Sequence, residues 1–190
     1  MIPRMTKNTT QRLNNKNILL IISGGIAAYK SLELIRLMRK NGAAIRCILT
    51  EGGSQFVTPL SVSALCEEEV LTDLWSLKDE TEMGHIQLSR QADLIVIAPA
   101  SANLLAKMTH GMADDLASTT LLAANKKTLI APAMNHCMWN HPATQANIKT
   151  LSERGILQVG PTEGDMACNE HGFGRMSEPE DILEAIIQNV

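Results

Sequence analysis

Asn17-Ile18-Leu19-Leu20-Ile21-Ile22-Ser23, followed at once by Gly24-Gly25-Ile26-Ala27-Ala28-Tyr29-Lys30, decides the fold. The first seven residues are an apolar, β-branched run without a polar face, the pattern of a strand buried on both sides in a parallel sheet. Residues 27–40 then change to a helical period: Leu34, Leu37 and Met38 share a stripe, Arg36, Arg39 and Lys40 lie largely off it, and Gly42 follows as a stop. Working outward, the same alternation recurs. Residues 45–50 (IRCILT), 93–98 (DLIVIA), 128–132 (TLIAP) and 156–160 (ILQVG) read as strands, and residues 59–65, 102–109, 114–124, 142–154 and 179–188 as helices. Strand, crossover helix and strand in repetition predict one α/β domain, a doubly wound, Rossmann-like parallel sheet with helices on both faces.

The 190 residues suit a single domain, and a formal charge of −3 offers no basic surface for nucleic acid. The sequence has neither the apolar core of a signal peptide nor a membrane-length apolar run, so no membrane partner is expected. Cys47, Cys66, Cys137 and Cys168 form no Cys-x-x-Cys pair, which favours a reduced, cytoplasmic protein. Residues 1–16 are polar and without hydrophobic period, and are expected to be a disordered leader, with the domain occupying 17–190.

In a sheet of this kind ligands bind outside the carboxyl ends of the strands, so the residues just after each strand carry the function. After the first, Gly24, Gly25 and Ile26 let backbone N–H groups approach an anion at a helix N-terminus. The motif is neither Gly-x-Gly-x-x-Gly nor a Walker loop, so a dinucleotide or nucleoside triphosphate is not the expected ligand; a tight turn without ligand is the alternative. Thr50 follows the second strand. Ser101, Ala102, Asn103 and Leu104 follow the third, where Ser101 offers a donor or simply caps a helix. Asp114 and Asp115 are adjacent and point apart on a helix, so they read as structural rather than as an acid/base pair.

Ala131-Pro132-Ala133-Met134-Asn135-His136-Cys137-Met138-Trp139 follows the fourth strand. Asn135 both donates and accepts and suits a substrate carboxylate, whereas His136 next to Cys137 fits zinc-ligand spacing poorly, and no metal is expected. Met134, Met138 and Trp139 read as core or interface. His85, at the start of a short helix, is a candidate base or a surface residue. The segment 164–176 places Gly164, Gly172 and Gly174 around Cys168, as in a mobile flap carrying a thiol acid, or a plain turn. Arg175 within it either holds an anionic group or pairs with Glu178.

The motifs SGGIAAYK, GHIQLSRQADLIVIAPASANLLAKMTHGMADD, APAMNHCMW and MACNEHGFGRMSEP, in this order from about residue 16 to the C-terminus, resemble those of the homo-oligomeric flavin-containing cysteine decarboxylases, most closely the members acting in coenzyme A biosynthesis. The resemblance implies FMN as cofactor, its phosphate near Gly24, Gly25 and Ile26, with further contacts from Thr50 and from Ser101, Ala102, Asn103 and Leu104. It makes His85 the base, Asn135 the ligand of the substrate carboxylate and Cys168 the proton donor. Substrate contacts are expected at Asn135, Ala167, Asn169, Arg175 and Met176.

The implied reaction is a carboxy-lyase one, 4′-phospho-N-pantothenoylcysteine to 4′-phosphopantetheine. Oxidation of CH₂–SH to a thioaldehyde labilises the carboxylate, CO₂ leaves to give an ene-thiolate, and reduction restores the saturated thiol. Implied partners are further copies of the chain, as a homotrimer or dodecamer, and a fused or separate phosphopantothenate–cysteine ligase. Related alternatives are a peptidyl-cysteine decarboxylase, a flavin prenyltransferase, and a non-catalytic regulatory subunit of a phosphatase.

Overall fold

The computed structural model describes residues 11–74, 84–165 and 170–190; of His85 only its place in a helix is described. Five strands form one parallel sheet: β1 (Asn17–Ile22), β2 (Ala44–Leu49), β3 (Leu94–Ala100), β4 (Thr128–Pro132) and β5 (Leu157–Gln158), in the order β2-β1-β3-β4-β5. The order reverses between β1 and β3, which opens a crevice at their carboxyl ends.

The alternation of side chains along each strand builds two cores. Ile18, Leu20 and Ile22 of β1, with Leu94, Val96 and Ala98 of β3, face α1 (Ala28–Lys40), α3 (Pro59–Cys66) and α9 (Pro179–Asn189). Leu19, Ile21, Ile95 and Ile97 face the other way, toward α4 (Gly84–Gln91), α5 (Ala102–His110), α6 (Leu116–Leu122) and α8 (Pro142–Glu153). All seven residues of β3 are buried, which is why its sequence has no polar face. Each fully buried Leu or Ile contributes about 1.5–3 kcal/mol, so these strands dominate the stability of the sheet.

The connecting helices begin and end where local chemistry directs. Ser101 Oγ accepts from the Leu104 N–H at the start of α5, and Gly111, at φ 67°, ends it in the left-handed region. Asp115 and Ser118 cap α6 reciprocally, so this helix starts at Leu116, two residues later than the sequence pattern suggests. Two short helices escape the hydrophobic pattern altogether, α2 (Glu51–Ser54) and α7 (His136–Asn140), capped by Thr50 and Asn135.

One expectation needs correction. Within the stretch expected to be a disordered leader, residues 11–16 pack on the domain: Leu13 is fully buried, its N–H donates to Asn41 O at 2.9 Å, and Arg12 pairs with Glu184 at 2.6 Å. One apolar residue among polar ones carries no periodic signal, yet it plugs the space beside α1. The glycine-punctuated segment, expected as a flap or plain turn, contains antiparallel β6 (Thr162–Asp165) and β7 (His171–Arg175), a two-stranded sheet separate from the main one. Residues 166–169, including Ala167, Cys168 and Asn169, lie outside the described residues.

Candidate active site

Two clefts open at the carboxyl ends of the strands, on either side of the turn between β1 and α1. The first, of about 630 Å³, is lined by Ser23, Gly24, Thr50, Gly52, Ser101, Asn103 and Leu104, and further by Lys107, Asp114 and Asp115. The second, of about 390 Å³, is lined by Gly25, Ile26, Tyr29, Lys30, Asn135, Asp165, Arg175 and Met176, among others. The residues expected around the flavin thus divide: Gly24, Thr50, Ser101, Asn103 and Leu104 share the first cleft, while Gly25 and Ile26 face the second with Asn135 and Arg175. Ala102 lines neither cleft.

The first cleft is shaped by backbone approaching backbone. A Cβ at Gly24 would come 3.1 Å from the carbonyl carbon and oxygen of Gly52, so only glycine keeps the two turns apart without displacement. Ser23, 2% exposed, ties the crevice together: its hydroxyl donates to Pro99 O at 2.7 Å and accepts the Ser101 N–H at 2.9 Å. The N-terminus of α1 has no side-chain cap, and those of α2 and α5 end in the hydroxyls of Thr50 and Ser101. Helix ends of this kind accept phosphate, and the volume suits a mononucleotide. A flavin phosphate beside Gly24 and the α1 N-terminus therefore fits the residues present.

Asp114 and Asp115 are structural, as expected: Lys107 Nζ lies 2.8 Å from Asp114 and 2.7 Å from Asp115. The hydrogen bonds to both carboxylates raise the Lys107 pKa above its usual value. An ammonium so held carries little free charge toward a ligand in the cleft.

Around the second cleft, Asn135 caps α7. Its Oδ1 accepts the Cys137 N–H at 2.8 Å, and its Nδ2 donates to Glu170 Oε2. His136 Nδ1 lies 3.2 Å from the same carboxylate oxygen, and His136 Nε2 3.3 Å from Cys137 Sγ. Glu170 and its bond to Asn135 were not visible in the sequence, because nothing in the spacing of residues 135 and 170 signals contact.

Arg175 takes one of the two roles weighed for it, with Nη2 donating to Glu178. The same Glu178 oxygen accepts from Lys30 Nζ at 3.0 Å, and Lys30 also donates to Met176 O at 3.2 Å. Met176, expected as a substrate contact, is 1% exposed and belongs to the core beneath the cleft, so it serves as wall and as a carbonyl acceptor. Of the residues expected as core or interface, Met134 packs against the second core while Met138 is 49% exposed. His85 lies in the first turn of α4, its side chain outside the described residues.

Comparison with known proteins agrees with this geometry. The chain is 50% identical over 175 residues to the coenzyme A biosynthesis bifunctional protein CoaBC of Haemophilus influenzae, covering 92% of this chain and 44% of that protein. It therefore spans less than half the length of such curated relatives. Among solved structures, a cysteine-to-serine variant of PPC decarboxylase complexed with pantothenoylaminoethenethiol superposes with a TM-score of 0.81 at 34% identity, covering 90% of this chain and 96% of that one. The FMN-dependent cysteine decarboxylase SpaF superposes with a TM-score of 0.81 at 31% identity, covering 93% and 96%. The sequence profile described as Flavoprotein matches residues 6–190, and on the strength of that match and these superpositions the chain belongs to the flavoprotein family.

Proposed function

We propose that this domain uses FMN to decarboxylate 4′-phospho-N-pantothenoylcysteine to 4′-phosphopantetheine. The observation that carries the reading is the pairing of a mononucleotide-sized, glycine-walled cleft beside the α1 N-terminus with a neighbouring cleft in which the Asn135 amide already holds a carboxylate. The names of the relatives, a bifunctional protein of coenzyme A biosynthesis and a PPC decarboxylase, point the same way.

Bound FMN would supply a reversible two-electron oxidation of the substrate's CH₂–SH group, without which loss of CO₂ would leave an unstabilised carbanion. Gly24, Thr50, Ser101 and Asn103 would hold it in the first cleft, with Gly25 and Ile26 at the turn between the clefts. Asn135 Nδ2 would orient the substrate carboxylate as a neutral donor, which positions the group without the added attraction a cation would exert against CO₂ departure. His85 would take a proton early in the reaction and Cys168 would return one at the end. These two assignments rest on the motifs that carry the family resemblance.

Two partners extend the reading. The relatives' bifunctional name supports a phosphopantothenate–cysteine ligase as the neighbouring activity, and the family resemblance supports assembly as a homotrimer or dodecamer. Among the described residues no helix is long and apolar enough to cross a membrane.

The test is to incubate the flavin-loaded protein with 4′-phospho-N-pantothenoylcysteine and follow the product by mass spectrometry. Loss of the mass of CO₂ alone is expected. An unchanged substrate, with flavin bound, would overturn the reading and turn attention to peptides ending in cysteine.

A further inference from the structure

The short helix α7 carries a nucleophile and a base side by side. Cys137 Sγ lies 3.3 Å from His136 Nε2, and His136 Nδ1 lies 3.2 Å from Glu170 Oε2. A carboxylate at Nδ1 keeps the proton on that nitrogen, so the Nε2 lone pair is the one turned toward the thiol. Thiol, imidazole and carboxylate in this order are the arrangement by which a cysteine is deprotonated for attack. Of Glu170 it needs only that one contact. Cys137 is exposed, whereas Cys47 and Cys66 are buried. Strand β7 packs closely on the imidazole: a Cβ at Gly172 would come 3.1 Å from His136 Cβ. The other titratable groups on the elements packed against α7 have partners of their own. His141 accepts the Ala143 N–H at 3.2 Å, His171 lies 2.9 Å from Asp165, Arg175 donates to Glu178, and Lys149 lies 4.0 Å from Glu153.

We propose that Cys137 is a modification site that takes small disulfides by thiol–disulfide exchange, with His136 as its base. The inference is independent of the decarboxylase reading. His136 Nε2 accepts the thiol proton as Cys137 Sγ attacks one sulfur of the incoming disulfide. A bond forms between Sγ and that sulfur, the original S–S bond breaks, and the departing thiolate takes the proton from His136. Cys137 is thus oxidised to a mixed disulfide while the other half of the reagent leaves as a reduced thiol, so no further oxidant is required. A disulfide suits the site better than an acyl donor. The oxyanion of acyl transfer needs N–H groups aimed at it, whereas the Cys137 N–H is directed to Asn135 Oδ1 at 2.8 Å, and the Glu170 carboxylate would oppose a second negative charge. Exchange keeps its charge on sulfur and neutralises it on the leaving thiol.

The test treats the whole flavin-loaded protein with bis(hydroxyethyl) disulfide, a small neutral probe, and follows each cysteine separately by peptide mass spectrometry. At about pH 7, Cys137 should form the mixed disulfide about tenfold faster in the native protein than in the urea-unfolded chain, where the His136 contact is lost. His136→Gln should remove that advantage. Above about pH 9, where a cysteine ionises without help from a base, native wild type and native His136→Gln should react at the same rate. That convergence separates a base from a residue that merely shapes access to the thiol. A native rate at or below the unfolded one at about pH 7 would overturn the proposal, as would an unchanged rate in His136→Gln or a deficit that persists above about pH 9. Mixed-disulfide formation on Cys47 or Cys66 ahead of Cys137 in the native protein would overturn it as well.

Discussion

The hydroxyl of Ser23 and the backbone N–H of Ser101 meet at 2.9 Å, joining the end of β1 to the start of α5 across the mouth of the crevice. Ser23→Ala removes the acceptor of that N–H, while Pro99 O retains the Ser23 N–H at 3.3 Å. An unsatisfied, part-buried donor costs about 1–2 kcal/mol. The variant should therefore unfold at lower urea concentration by that amount. It should also bind FMN about tenfold more weakly, measured by quenching of flavin fluorescence, if Ser101 shifts to find another acceptor.

Two neighbouring glycines should behave differently. At Gly53 an added Cβ would lie 2.5 Å from Ile22 O and 2.8 Å from Leu49 Cδ1, inside the sheet's own hydrogen-bonding layer. Gly53→Ala should destabilise the fold by about 3 kcal/mol as overpacking against backbone, seen as a lowered Tm with or without flavin. At Gly24 the contacts are 3.1 Å and lie across the cleft, so Gly24→Ala should spare most of the stability and lose flavin affinity. Equal loss of stability in the two variants would argue against the cleft assignment.

His171 lies 2.9 Å from Asp165 across the β6–β7 sheet, and that hydrogen bond raises the imidazole pKa above its ordinary 6.5. For a raised histidine pKa the stabilisation is complete below the unfolded-state value and is lost as pH rises through the folded-state value. The pairing of β6 with β7 should therefore loosen as pH rises through the raised folded-state value of His171, while the main sheet does not change. A titration of the His171 ring by NMR should give a midpoint above 6.5, and Asp165→Asn should return it toward that value.

The fold was largely legible because β1, β3 and β4 are buried on both faces, so their apolar runs have one reading, and because helix ends such as Ser101 and Gly111 carry local signals. Local signals also placed Gly24, Thr50 and Ser101 at one cleft, since each follows a strand end that the topology brings together. What was illegible depends on contacts distant in sequence. Leu13 is core only because α1 and the loop after it pass over it, and Met176 is core only because the residue after β7 joins the cluster formed by α1 and α9. Cys47 and Cys66, which form no Cys-x-x-Cys pair in the sequence, interact between β2 and α3, an interaction that lowers the Cys66 pKa to about 6 and raises that of Cys47. The 35-residue separation of Asn135 and Glu170 hid that contact in the same way.

Lys30 and Glu178 provide a final prediction. The Lys30 ammonium, 9% exposed, sits between Glu178 at 3.0 Å and the Met176 carbonyl at 3.2 Å, and so fastens the end of β7 to α1. Its hydrogen bond, with a further contribution from Arg175, holds the Glu178 carboxyl below its usual pKa. A lowered carboxylate pKa gives stability that is present above the unfolded-state value of 4.5 and is lost as pH falls through the folded-state value. Glu178→Gln should cost about 1–2 kcal/mol near neutral pH, discounted for the half-exposed carboxylate, and the difference from wild type should vanish on acidification. Arg175→Ala should cost less than about 1 kcal/mol, because that pair is solvent-exposed on both sides. Urea unfolding of the three proteins between about pH 3 and pH 7 checks the ordering. A pH-independent difference for Glu178→Gln would show that packing, and not the Lys30 charge, holds the end of β7 in place.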